Sequence, residues 1–508
     1  MRNQLGWMLA GSLWAAPFAI AQHDLQRDAV RHIARGEFDQ AAARLASGKK
    51  PDSGPAETLF VEMLGLLARD EIEGATAKAR EALAQGLPPG RLAAGPRELL
   101  RKLPPLAEAE AIDLVHGPML GSLTTDSVSV WVRTREAAEV GVAAGPILAT
   151  AKTGPETDFT AVLELEGLEP NTAYDGQVSI NGEPVEGAVV TFRTPPTASA
   201  PKPFTVAFGG GAGFIPEWER MWDTILARKP MAFLTLGDNV YIDDPEHPLT
   251  HHYCYSRRQS RPEWRRLTSA TAVYSIWDDH DFGMNDCIPG PEIETPAWKR
   301  EVWNIFRQNW ANPGYGGGTD QPGCWYDFHL GDVHFIMIDG RYYRDLKGGS
   351  MLGPVQKAWL KKTLTESKGT FKVIASNVPF TPNIKKGSRD PWDGYPEERA
   401  EIFSWIPEHD LDGVFLIAAD RHRTDLRTID NPGSYPLYEF QSSKLTNKHT
   451  HPVVQTEGLL WGYNKTCSFG LMHFDTTLDD PQVRFELVDI DGKVHEDHTL
   501  RLSELKAD

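Results

Sequence analysis

Ile276-Trp277-Asp278-Asp279-His280-Asp281-Phe282-Gly283-Met284-Asn285-Asp286 is the stretch on which the fold reading turns. Four aspartates, a histidine and an asparagine crowd into it directly after an apolar run, 272–276, that reads as a buried strand. Ligands in open α/β sheets sit beyond the carboxyl ends of strands. Acids packed this densely repel one another, a cost relieved when a cation neutralises them. Two further clusters end apolar runs: Leu236-Gly237-Asp238-Asn239-Val240-Tyr241-Ile242-Asp243-Asp244 and Ala418-Ala419-Asp420-Arg421-His422. Taken singly, an aspartate after a strand serves equally well as a helix cap or turn residue. Three clusters together point to a two-metal hydrolase centre.

Working outward, the chain has 508 residues, enough for about three domains. Its formal charge of -18 argues against capture of DNA, RNA or an anionic membrane, which need basic faces. A small phosphorylated substrate steered by local Arg or Lys is compatible with it. The weakly basic start, the apolar run 5–20 and the small-x-small Ala19-Ile20-Ala21 read as a cleavable signal peptide over 1–21, hence a secreted or periplasmic protein. No later stretch is long and apolar enough for a transmembrane helix. Cys254, Cys287, Cys324 and Cys467 allow one or two disulfides and show no zinc-finger spacing.

Residues 22–108 are rich in Ala, Arg, Glu and Leu. Ala34-Arg35-Gly36-Glu37-Phe38 echoes Ala68-Arg69-Asp70-Glu71-Ile72 at the tetratricopeptide period. A small helical module resembling that family is expected, either as a docking surface for a protein partner or as a cap on the next domain. Residues 112–196 turn to short alternating strands, and Leu168-Glu169-Pro170-Asn171-Thr172-Ala173-Tyr174 resembles the turn and Tyr of fibronectin type III-like sandwiches. Asn181-Gly182 signals a hairpin, and Thr194-Pro195-Pro196 opens a linker. Residues 202–508 alternate strands (204–208, 232–236, 272–276, 334–338, 373–376, 414–418) with helices (217–227, 298–310, 354–365, 396–406) and end in strands at 469–474 and 483–489. That alternation predicts a layered α/β domain.

Asp238 follows a tight turn at Gly237, which lets one carboxylate face two ions, and Tyr241 is placed to reach the same centre. A phenolate favours a ferric ion. Asp420 and His422, two apart on an extended segment, share a face.

Trp277-Asp278-Asp279-His280-Asp281-Phe282-Gly283, Gly237-Asp238-x-x-Tyr241, Ile338-Asp339-Gly340-Arg341-Tyr342-Tyr343-Arg344 and Ala419-Asp420-Arg421-His422 together resemble the alkaline phosphatase D (PhoD-like) metallophosphoesterases. Gly117-Pro118-Met119-Leu120-Gly121 resembles the start of that family's N-terminal sandwich. The resemblance runs from about His116 to the C-terminus. It implies a metallophosphoesterase-type β-sandwich flanked by helices and preceded by a β-sandwich. It also implies iron and calcium, and hydrolysis of phosphate esters by a metal-activated hydroxide outside the cytoplasm. Carried over by position, Asp238 bridges the ions, and Asp279, His280, Asn285, Asp420 and His422 are further candidate ligands. Tyr241 and Tyr255 compete for the phenolate role. His280 is a candidate acid for the leaving group. Arg341 is a candidate for neutralising phosphate charge, its plainer role being a salt bridge to Asp339 or Asp345.

One departure stands out. Where the family usually has a metal-binding Cys and Asp after its first strand, this chain has Gly209-Gly210-Gly211-Ala212-Gly213. That turn reads as a backbone phosphate cradle or as a depleted metal site, with Cys254 a substitute ligand. Two alternatives to a phosphoesterase are therefore carried: a related hydrolase of phospholipid or sulfate esters, and a degenerate metallophosphoesterase fold used as a scaffold. Gly331-Asp332-Val333-His334 precedes its strand and reads as structural. His247, His251, His252, His449 and His451 have no fixed metal spacing and read as surface or core histidines, with His251 and His252 near the site only through Tyr255.

Overall fold

The computed structural model describes residues 24–50 and 52–506. The signal-peptide reading at 1–21 lies outside the described residues.

Four helices, Leu25–Ala34, Phe38–Ala46, Pro55–Ala68 and Ile72–Ala84, form two hairpins. The first starts where the Asp24 carboxylate accepts the Arg27 amide at 3.0 Å, and the third starts on Pro55, whose ring suits a first helical turn. Val30, Ile33, Phe60, Leu64, Leu67, Ala75 and Ala79 are buried between them. The module is a cap: its first helix packs on the helix Pro248–Gln259 of the large α/β unit. The Asp24–Arg257 pair, 2.5 Å apart, is buried in that seam.

Two antiparallel sheets follow. One runs Leu114–Gly121, Ser127–Thr134, Thr160–Glu166; the other runs Ile147–Lys152, Glu139–Ala144, Ala173–Ile180, Glu183–Arg193. Alternating burial along Glu183–Arg193 matches a sheet with one wet face. Asn181 and Gly182, at φ 50 and 88, make the expected hairpin turn.

The rest is two mixed sheets, face to face. The six-stranded sheet is ordered Ala272–Ile276, Ala232–Leu236, Phe204–Gly209, Ser468–Asp475, Gln482–Asp489, Val494–Arg501. The seven-stranded sheet is ordered Tyr326–Leu330, Val333–Met337, Phe371–Ala375, Val414–Ala418, Leu437–Ser442, Thr424–Ile429, Leu459–Tyr463. Phe474 bridges them, its ring 5.8 Å from Phe335 and 6.0 Å from Phe371. Parallel registers Gly209↔Thr235 and Ile276↔Leu236 bring three strand ends to one edge. Val414–Ala418 ends at the same edge: the amide of Gly210 bonds across to Ser442, beside it in the second sheet.

Every strand expected in this unit is present within one or two residues, the largest offset being 373–376, which starts at Phe371. Among the elements that sequence pattern missed are the helices Pro248–Gln259 and Pro262–Thr268 and the strands Thr424–Ile429 and Leu437–Ser442. In these, buried polar residues stand where apolar periodicity is sought. Arg257 and Arg258 are buried on the helix, and Asp425 and Arg427 pair at 3.0 Å in the strand. The disulfide expectation is corrected: all four cysteines are free thiols.

Candidate metal centre

Gly237 and Asp238 turn the chain with left-handed backbone at φ 96 and 53. A Cβ on Gly237 would sit 2.5 Å from the Asp278 Cβ, so only glycine fits between the two strand ends. Asp420 (φ 63) and His422 (φ 45) are also left-handed. Strained non-glycine backbone gathered at one edge is a mark of a functional site.

The side chains converge there. Carboxylate and imidazole atoms of Asp238, Asp279 and His280 all lie within 4.8 Å of one another. Tyr241 donates its hydroxyl to Asp238 Oδ2 at 2.9 Å and lies 3.0 Å from His422 Nε2. Asn447 Nδ2 donates to the same hydroxyl. The His280 ring lies tilted against Tyr241, centroids 4.4 Å apart, and its Nδ1 bonds to Asp243. Asp279 is oriented by two backbone amides, His280 at 2.9 Å and Asp286 at 2.5 Å.

Burial, reinforced by Asp279, Asp278 and Asp281 and only partly offset by His280, pushes the Asp238 carboxyl well above its ordinary range. Burial and Asp238 likewise hold the Tyr241 phenol well above 10. His280 goes the other way: burial lowers it, but Asp243, Asp279 and Asp238 outweigh burial and hold it well above its ordinary value. Asp238 Oδ1, Asp420 Oδ2 and His422 Nδ1 are buried with no hydrogen-bond partner among the described residues. Unpartnered buried oxygens and an imidazole nitrogen are the donors that hard and borderline cations take. The residues therefore fit the metal ions that this architecture implies.

Not every acid of the opening stretch faces the centre. Asp278 caps the short helix Asp279–Phe282, and Asp281 accepts the amides of Asn239 and Val240 at 3.1 and 2.8 Å. Asn285 is exposed and Tyr255 packs edge-on against Trp310, so neither joins the cluster, and of the two tyrosines it is Tyr241 that does. Arg341 is fully buried, donating to Asp278 at 2.5 Å and Asp390 at 2.6 Å, with Asp279 at 3.7 Å. It pairs with acids other than Asp339 and Asp345 and has no face open to a substrate. Its neighbour Arg344 shares Asp390.

The glycine turn is not a phosphate cradle. The amides of Gly210, Gly211 and Ala212 donate to the carbonyls of Ser442, Gly237 and Asp238. Nor has it room for ligands, since a Cβ on Gly210 would lie 2.6 Å from the Ala419 Cβ. Cys254 makes a poor substitute: its thiol, pushed up to about 12 by burial, points at the Tyr241 carbonyl 3.8 Å away. His251 and His252 bond towards Asp244 and Asp158 instead. Asp332 accepts the hydroxyls of Thr370 and Thr476 and is structural, as its place before a strand suggested.

Sequence reasoning did not single out Asn447, gave Asp243 no role beyond its place in the second acidic cluster, and read His449 and His451 as surface or core histidines. The rings of His449 and His451 lie 5.3 and 5.4 Å from His422. Only proximity to the strand Leu437–Ser442, itself unrecognised, would have pointed to them. The cap was also read too remotely. Arg27 donates to the Tyr241 carbonyl at 3.0 Å, and Arg31 lies 2.9 Å from Asp243, so the first helix grips the loop that carries Tyr241.

The fold resembles that of solved phosphatases. It matches a structure of PhoD with a TM-score of 0.65 at 16% identity, over 76% of this chain and 90% of that one. It matches the purple acid phosphatase PPD1 from yellow lupin (Lupinus luteus) seeds with a TM-score of 0.58 at 12% identity, over 76% and 75% of the two chains. These likenesses define the fold, a mixed α/β sandwich shared with those two structures. The chain belongs to the PhoD-like phosphatase family, whose profile matches residues 206–469. Residues 111–196 match a domain of unknown function, DUF7800. Alkaline phosphatase D of Bacillus subtilis (strain 168) is 22% identical over 316 residues. The match takes in 53% of this chain and 54% of that relative, so the chain spans about half its length.

Proposed function

We propose that this protein is an exported, metal-dependent phosphoesterase acting on small phosphate mono- or diesters. The observation that carries the reading is the convergence of Asp238, Tyr241, Asp279, His280 and His422 at one strand edge, with buried atoms of Asp238, Asp420 and His422 left without a hydrogen bond among the described residues. Export is supported by the basic start and apolar run of the sequence.

Asp238, Asp279, Asp420 and His422 would hold the ions, with Tyr241 as the phenol ligand. Bound there, iron and a second ion would supply Lewis acidity and activation of the attacking water. The remaining work belongs to the chain. Asp243 holds His280 Nδ1, which fixes the ring and favours its protonated form. That form suits donation of a proton to the leaving oxygen. Asn447 and Asp238 fix the Tyr241 hydroxyl from two sides. Arg421, buried beside Asp420 at 3.6 Å with its Nε unpartnered among the described residues, is better placed than Arg341 to meet phosphoryl oxygens.

Elemental analysis beside turnover of p-nitrophenyl phosphate and its bis ester tests the reading. The expected result is about two ions per chain and phosphate release, both lost in Asp238→Asn. A folded protein that takes up no ion and releases no phosphate would leave the scaffold reading in its place.

A further inference from the structure

The glycine turn lacks the two expected ligands, yet the segment bonded to it, through Lys444 and Thr446 to Gly210 and Gly211, leads into a loop that brings imidazoles to the site. One ring nitrogen from each of His422, His449 and His451 lies within 4.8 Å of the others, and the His449 and His451 centroids are 4.6 Å apart. The loop that carries the last two is built. Asn447 Oδ1 accepts the His449 amide at 2.7 Å while its Nδ2 binds Tyr241, tying the loop to the centre. Asn464 holds the His451 carbonyl at 3.0 Å, and Lys444 bonds Thr450 between the two histidines. His422 borders the acidic group as well: its Nε2 is 3.9 Å from Asp238 Oδ2, and its Nδ1 is buried without a hydrogen-bond partner among the described residues. Stacked histidines at a surface need no such anchoring, and an imidazole nitrogen buried without a hydrogen bond costs free energy unless something binds it.

Resting on the phosphoesterase reading above, we propose that His422, His449 and His451 form an imidazole-rich metal position that stands in for the ligands absent from the Gly209–Gly211 turn. Three imidazoles select a borderline divalent ion such as zinc over calcium, which prefers oxygen donors. Asp238 and Asp279 supply the oxygen-rich position alongside, so the centre is asymmetric: one nitrogen-rich place and one oxygen-rich place, sharing the Asp238–His422 edge.

The test uses the full chain stripped of metal and reloaded with zinc or, as a spectroscopic probe, cobalt(II). His449→Ala/His451→Ala is compared with wild type and Asp238→Asn by elemental analysis, zinc titration and visible absorption, with near-ultraviolet circular dichroism reporting the fold. The double variant is expected to lose one equivalent, or to bind it more than about 100-fold more weakly, which exceeds the loss of an outer partner. Its cobalt band is expected to fall and to return with added imidazole. His449→Gln/His451→Gln, closer in shape, is expected to behave the same way. Unchanged stoichiometry and affinity in both double variants, with metal lost only in Asp238→Asn, would overturn the histidine site and leave the phosphoesterase reading standing. Wild-type protein that takes up no ion would overturn both.

Discussion

Arg27 and Asp243, 216 positions apart, form a part-buried ion pair with Nη1 3.2 Å from Oδ2. Asp243 in turn bonds His280 Nδ1. The first helix of the N-terminal cap is thereby two contacts from the centre. Removing Arg27 leaves Asp243 with Arg31 and His280, but takes the buried Tyr241 carbonyl's donor away. Arg27→Ala is therefore expected to destabilise the protein by about 1–3 kcal/mol in denaturant melts, with kcat falling more than KM rises because the Tyr241 loop loosens. Arg27→Lys should recover part of both. A variant within about 0.5 kcal/mol of wild type, the usual spread for uninvolved surface positions, would remove the cap from the account.

The same seam sets an acid limit. Burial raises the Asp24 carboxyl, but Arg257 and then Arg27 outweigh it and hold Asp24 below its ordinary 3.8. With the folded value depressed, its contribution is complete above the unfolded value and is lost as pH falls through the folded one. The cap should loosen below about pH 4, seen as faster hydrogen exchange in Leu25–Ala34. Asp24→Asn should be less stable at neutral pH and should lose this pH dependence. Identical acid profiles for the two proteins would rule the pair out as its source.

How much of this was legible in the sequence follows from where the chemistry sits. The three ligand clusters lie on short, fully apolar strands, Ala232–Leu236, Ala272–Ile276 and Val414–Ala418, whose limits the sequence pattern matched to the residue. Such strands announce their ends, and the residues after them were found. Asn447 follows Leu437–Ser442, which buries Glu439 and Gln441, so its pattern hid the strand; His449 and His451 on the same loop were set aside because their spacing matches no metal motif. Arg341 was read as a phosphate contact because sequence spacing carries no information on burial; the partners that claim it, Asp278 and Asp390, are 63 and 49 positions away. The grip of Arg27 on a loop in another part of the chain has no local signature at all.

The glycine turn can be probed by adding one methyl. A Cβ on Gly210 meets the Ala419 Cβ at 2.6 Å and the Gly237 carbonyl at 3.0 Å, both on strand ends that carry ligands. Gly210→Ala should cost about 1–3 kcal/mol, the usual penalty of overpacking, and should lower metal affinity by displacing the Asp238 and Asp420 turns. Ala419→Gly in the same chain should recover part of the loss, as neighbouring sites couple. A tolerated Gly210→Ala would mean that the turn has room the structure does not show.

Arg341 separates two roles by kinetics and stability together. A residue that meets phosphate in solvent can be changed to Lys with little effect on folding, at the expense of KM. Arg341 instead spans Asp278 and Asp390 with no exposed surface, and Asp278 also caps the helix from which Asp279 and His280 project. Lysine can neither fork between two carboxylates nor keep the planar geometry. Arg341→Lys should therefore destabilise the fold by about 3 kcal/mol or more. It should lower kcat through misplaced Asp279 and His280 and leave KM close to wild type. Arg344→Lys, which touches only Asp390 of these acids, should show the stability loss with a smaller effect on kcat. A raised KM in Arg341→Lys, with the melting curve unchanged, would return Arg341 to the substrate and require the site to open further than the packing around it allows.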